Sequence, residues 1–225
     1  MLKRILLILT ALAGWFALLI QLPITVANSR AVGMSIIGGA IAYLSFFTIL
    51  TNLLVATSLT CSLWPRSSWG GFFSRPVVTS ALAAYAAMVG AGYSLLLRHV
   101  WNPEGLQKIA DILLHDLVPL MYLIYWLIFL PKRGLRWKNA LQWLIYPVVY
   151  LCFVLIRGGW SGRYPYYFLD ASKLGYLAVA SNAIKLLCAF LVVALFVVVI
   201  GRWMGRRYPD ERKAVSKRSS RADAR

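Results

Sequence analysis

Three apolar stretches of the chain carry polar residues whose types and spacing suit an activated nucleophile. The first is Phe46-Phe47-Thr48-Ile49-Leu50-Thr51-Asn52, in which Thr48 and Asn52 stand four residues apart and share a helix face, with Thr51 beside it. The second is Asp111-Ile-Leu-Leu-His115-Asp116, in which Asp111 and His115 are again four apart and Asp116 projects from another part of the helix. The third is Ser181-Asn182-Ala183-Ile184-Lys185. A threonine hydroxyl is a weak nucleophile at neutral pH and needs a base within hydrogen-bond reach. An imidazole is such a base, and a carboxylate behind it sets its tautomer. Thr48 with His115, oriented by Asp111 or Asp116, makes such a set, and Asn52, Thr51 or Lys185 would stabilise an oxyanion.

Each of these residues also has a reading without catalysis. Thr48 and Thr51 can bond the carbonyl one turn back while Asn52 joins two helices. Asp111, His115 and Asp116 can lie at a helix end among the headgroups, where acidic residues early in a helix favour its dipole. Lys185 either pairs with Asp111 or Asp116 across a bundle or snorkels to the surface. The four ionisable groups together would otherwise serve as the proton relay or ion pair of a proton-coupled transporter or small-molecule binding protein. A third alternative is a non-catalytic membrane scaffold.

The elements that must position these residues are membrane helices. The chain of 225 residues is 60% hydrophobic and 14% charged, against roughly 25% charged in a soluble domain. Apolar stretches of about 20 residues, the length needed to cross a bilayer, fill nearly all of it. The expected fold is all-α: a polytopic membrane bundle of about six helices over residues 1–207, with a basic, disordered tail over 208–225. The spans read as Ile5–Leu22, stopped by Pro23; Ile36 to Trp64-Pro65; Pro76–Leu97; Ile109–Leu130; Ala140–Ile156; and Leu174–Ile200. Lys3 and Arg4 precede the first span, and the run continues past the cleavage-like Ala11-Leu12-Ala13, which favours an uncleaved first helix over a signal peptide. Trp64, Trp69, Trp101, Trp137, Trp160 and Trp203 fall near predicted helix ends, where indole rings settle at the headgroups.

The net charge of +17 comes from the short connections and the stretch from Arg202 to Arg225. That distribution is a topology signal rather than a nucleic-acid surface, and it places both termini in the cytoplasm, with anionic lipid headgroups as partners of the tail. Cys61, Cys152 and Cys188 have neither the number nor the spacing of a metal site or a disulfide framework. No cofactor is expected. On the boundaries above, Thr48 lies about 18 Å into its span and His115 about 9 Å into its own, at 1.5 Å per residue. Tilt or a boundary shift of a turn is needed to bring them together.

At these residues the sequence resembles the androgen-induced (FAR-type) six-span membrane proteins, in particular their prokaryotic branch. Phe46-Phe47-Thr48-Ile49 is similar to the family's Phe-Leu-Thr-Phe stretch, which carries a nucleophilic threonine. His115-Asp-Leu-Val-Pro119 is similar to its His-x-x-Val-Leu-Pro segment, which carries a catalytic histidine, although the spacing to proline is one residue shorter here. Gly159-Trp160 through Tyr164-Pro165-Tyr166 to Phe168-Leu169-Asp170 resembles its Gly-x-Trp-x-Tyr-Pro-Phe-Leu-Glu loop, with insertions after Trp160. Thr51 offers a second alignment for the nucleophile. The resemblance implies an intramembrane threonine hydrolase of lipid (fatty acid) esters, since animal members cleave fatty acid esters of hydroxy fatty acids. It also implies a bacterial inner membrane location and a Tyr164–Tyr167 loop covering the mouth of the site.

Overall fold

A computed structural model describes residues 1–207. It is 81% helical and contains no strand among the described residues. The helices are α1 (Leu2–Ala31), α2 (Ile36–Tyr43), α3 (Phe47–Cys61), α4 (Ser68–Phe73), α5 (Pro76–Gly92), α6 (Gly105–Ile112), α7 (Val118–Phe129), α8 (Trp137–Trp143), α9 (Ile145–Ser161), α10 (Ala171–Leu174) and α11 (Tyr176–Arg207). Two π-helical turns, Tyr93–Leu97 and Leu113–Leu117, extend α5 and join α6 to α7. Five continuous segments are long and apolar enough to cross a membrane, and α2 with α3 makes a sixth, broken one. The protein is a polytopic membrane helical bundle. The basic tail expected over 208–225 lies outside the described residues.

The order of packing follows the chain. The long α1 lies against α2, α3, α6 and α7; α5 lies against α3, α7 and α11; and α11 closes on α8. Tyr122, Tyr125 and Trp126 of α7 fill the centre with Val55 and Leu59 of α3. Small residues set the closest approach, as is usual where lipid removes the hydrophobic drive between helices. A Cβ on Gly14 of α1 would sit 3.3 Å from that of Ala56 on α3. The six tryptophans read as interfacial are all exposed.

Three expected boundaries need correction. Pro23 does not stop the first span: α1 continues eight residues past it, to Ala31. In a bundle, neighbours re-satisfy backbone groups near a proline, and the Tyr43 hydroxyl donates to the Leu18 carbonyl at 3.0 Å in the preceding turn. The fourth span begins at Gly105 rather than Ile109. The second span is not continuous, because α2 and α3 meet at 74° across Leu44-Ser45-Phe46.

Non-helical backbone at membrane depth survives where protein satisfies it, and three hydrogen bonds hold the break. Ser45 Oγ donates to the Ile41 carbonyl at 2.6 Å. Tyr150 of α9 donates its hydroxyl to the Ser45 carbonyl at 2.8 Å. The Phe47 N–H donates to the Tyr166 hydroxyl at 3.1 Å. Phe46 is extended (φ −85°, ψ 126°) and starts a new helix at Phe47. Thr48 therefore occupies the first turn of a half-helix, at its positive dipole end.

Candidate active site

The bend and the earlier start of α6 remove the difference in depth between Thr48 and His115. The four extra residues carry His115 about 6 Å deeper, while the 74° bend between α2 and α3 takes Thr48 off the depth of a straight helix. Thr48 Oγ1 lies 3.2 Å from His115 Nε2. On its other side, His115 Nδ1 is 2.9 Å from the Asp111 carbonyl and 3.1 Å from Asp111 Oδ1. Both of those atoms accept, so Nδ1 carries the proton, Nε2 presents its lone pair, and the Thr48 hydroxyl donates to it. This tautomer follows from the hydrogen-bond network. Asp111 is held in turn by the Tyr93 hydroxyl, which donates to Oδ2. The Tyr93 ring stacks on the imidazole, with centroids 4.0 Å apart and planes 17° from parallel.

His115 projects from the π-turn because of Pro119. A proline has no N–H and its ring crowds the carbonyl four residues earlier, which here is that of His115. The chain widens: the Val118 N–H reaches back five residues to the Leu113 carbonyl. The next donor in that register would be residue 119, so the Leu114 carbonyl is left without one. Asn52 supplies it, its Nδ2 donating to the Leu114 carbonyl at 3.0 Å and to the Thr48 carbonyl at 2.9 Å. One buried amide thus clamps the turn that carries Thr48 to the turn that carries His115. Gly90 of α5 admits the displaced backbone, since a Cβ there would lie 3.3 Å from the His115 carbonyl. Such π-turns recur at functional sites.

The other residues singled out from the sequence are elsewhere. Asn52 has its amide hydrogens committed to the two carbonyls. Thr51 pairs with the Tyr146 hydroxyl at 3.2 Å, whereas Thr48 faces the imidazole. Asp116 does not reach His115; it pairs with Arg98, whose guanidinium lies over the outer face of Tyr93 at 4.8 Å. Arg98, Tyr93 and His115 form a stack. Lys185 is exposed on α11, lines neither cavity at Thr48, and is not paired with Asp111 or Asp116.

Tyr166 was not singled out individually. Its hydroxyl accepts from the Phe47 N–H and lies against the side chains of Thr48 and Tyr150. Burial pushes the phenol above its usual range, so it keeps a proton to donate. The ring is seated by Phe168, stacked at 5.1 Å, and by Phe46, edge-on at 5.9 Å. Gly158 makes room for the loop: a Cβ there would lie 2.1 Å from the Tyr164 ring.

Thr48 opens onto two cavities. One, of about 100 Å³, lies among α5, α9 and α11; the other, of about 500 Å³, lies against α1 and takes in His115 and Asp111. Comparison with family models, curated proteins and solved structures returns no match for the chain.

Proposed function

We propose that this protein is an intramembrane threonine hydrolase of lipid (fatty acid) esters, akin to the androgen-induced (FAR-type) six-span proteins that its sequence resembles. The observation that carries the reading is the 3.2 Å contact of Thr48 Oγ1 with His115 Nε2, backed by Asp111 at Nδ1. Thr48 Oγ attacks the ester carbonyl as Nε2 takes its proton. The oxyanion forms beside the Tyr166 hydroxyl and the first turn of α3, whose leading N–H groups have no intrahelical partner. The carbon–oxygen bond to the alcohol then breaks, and Nε2 returns the proton to the leaving oxygen. Water attacks the acyl-threonine by the same route, His115 taking its proton and passing it to Thr48. On the same resemblance, the membrane is the bacterial inner one, and anionic headgroups meet the basic tail.

Labelling of the purified protein with a fluorophosphonate tests this reading. Wild type is expected to label, and Thr48→Ala and His115→Ala to lose the label, while Thr51→Ala keeps it. Full hydrolase activity in both Thr48→Ala and His115→Ala sinks the proposal. The Tyr93–Asp111–His115 chain of hydrogen bonds also favours a second reading, a proton relay in a transporter. Proton-coupled uptake into liposomes that survives Thr48→Ala but not Asp111→Asn would establish it instead.

A further inference from the structure

The two cavities at Thr48 are not equivalent, and the position of the base distinguishes them. Thr48, Tyr93, Leu97 and Tyr166 line both, but His115 and Asp111 line only the larger. In acyl transfer the histidine that accepts the nucleophile's proton must next give it to the leaving alcohol. The alcohol therefore departs on the His115 side, and the acyl group remains on the other. The smaller cavity suits an acyl chain: its walls include Val89, Leu151, Leu187 and Phe190. Its 100 Å³ takes roughly the first three to four methylene-sized groups, at about 30 Å³ for a water-sized one, and the rest of a longer chain leaves through its open side.

The larger cavity has a different wall. Most of it is apolar as well, with Phe46, Ile49 and Trp101 among the lining, but Gln21, Thr25, Asn28 and Ser29 add a polar strip from α1, and Gln107 and Arg163 join them from α6 and the α9–α11 connection. The four residues of α1 follow the i, i+4, i+7, i+8 stripe of one helix face, toward the C-terminal end of a helix long and apolar enough to cross a membrane. Amides and hydroxyls on a membrane helix are satisfied by protein, by water or by a ligand. The Gln21 amide donates to the Thr25 hydroxyl, which donates to the Gln21 carbonyl, while Asn28 is exposed toward the cavity. Five of these six polar groups are neutral, which suits hydroxyls better than an ionised headgroup. The 500 Å³ holds about sixteen water-sized groups, ample for a polyol.

We propose that the substrate straddles Thr48 in one direction, with its acyl chain in the α5–α9–α11 cavity and a polyhydroxylated alcohol, of the glycerol or sugar type, against α1. The proposal rests on the hydrolase reading. The same cavity delivers the water that His115 activates for deacylation.

The test is a matched panel in which the acyl chain is constant: decanoylglycerol, 6-O-decanoylglucose, decyl decanoate and p-nitrophenyl decanoate, with Thr48→Ala as the blank. The glycerol or the glucose ester is expected to exceed the decyl ester at least tenfold in kcat/KM, and which of them leads identifies the alcohol. Gln21→Leu combined with Asn28→Leu is expected to bring that ratio toward one. A decyl ester cleaved as well as or better than both polyol esters overturns the proposal while leaving the hydrolase reading intact, provided that p-nitrophenyl decanoate turns over through Thr48. A ratio unmoved in a double variant that elutes as folded protein also overturns it. Thr48-independent turnover of p-nitrophenyl decanoate overturns the hydrolase reading, and this inference with it.

Discussion

At the scale of single residues, the site is a chain of donors and acceptors that ends with the Thr48 hydroxyl on the His115 Nε2 lone pair. His115 Nδ1 donates to two acceptors of Asp111, one on the backbone and one on the side chain. The backbone acceptor survives substitution of the side chain, so Asp111→Asn keeps the tautomer and loses chiefly the charge that stabilises an imidazolium. On the proposed chemistry, kcat is expected to fall on the order of 10²-fold in an ester-hydrolysis assay. That is less than the ~10⁴-fold seen where the carboxylate alone sets the tautomer; a loss of that larger size would mean the backbone bond does not hold the ring. Tyr166→Phe removes the phenolic donor beside Thr48 and is expected to lower kcat about 10²–10³-fold. A change confined to thermal stability, with kcat kept, would mean that the hydroxyl only serves the Phe47 N–H. The types of Thr48, His115 and Asp111 were legible in the sequence because ionisable and hydroxyl groups stand out in apolar runs. Tyr166 was not, since a loop tyrosine among Tyr164 and Tyr167 carries no periodicity that would aim it.

At the scale of elements, the site depends on two defects in otherwise regular helices. One is the break before Phe47, and the other the π-turn before Val118. Counting along continuous helices from the expected starts separates Thr48 and His115 in depth; the break and the earlier start of α6 close that gap, and the π-turn sets how His115 projects. The signal for the second defect is present in the sequence as Pro119, four residues after His115. The first is harder to read, because Leu44-Ser45-Phe46 contains neither glycine nor proline, and its satisfaction comes from Tyr150 and Tyr166, over a hundred residues away. Pro119→Ala restores an N–H and allows the helix to return to the α register, retracting His115. The expected outcome is an equal or higher melting temperature with a large loss of turnover. The reverse pattern, lower stability with turnover kept, would remove the π-turn from the account of the site. Asn52→Leu should lose both, because it leaves the Leu114 carbonyl buried without a donor, at about 1–3 kcal/mol.

At the scale of the whole molecule, the distribution of apolar surface argues for lipid on most sides. Ile5, Leu9, Leu12, Phe16 and Leu19 of α1 are exposed, as are Ile184, Val192, Phe196 and Val199 of α11. In water such surface costs roughly 25 cal/mol per Å²; in a bilayer it costs nothing and is required. Fold class was legible on this ground, since length and hydropathy alone delimit spans, whereas packing order depends on contacts that no single span reports. Cys152, midway along α9, and Cys188, midway along α11, are both exposed and therefore report on the surroundings of this surface. A charged reagent does not enter hydrocarbon, so a thiol there is out of its reach. In intact proteoliposomes a sulfonated, membrane-impermeant maleimide is expected to leave both unmodified while modifying a cysteine placed at Ser161, at the end of α9. After denaturation in sodium dodecyl sulfate all three should react. Rapid modification of Cys152 and Cys188 in intact liposomes would put water against the middle of α9 and α11, and these two helices would then face an aqueous path rather than lipid.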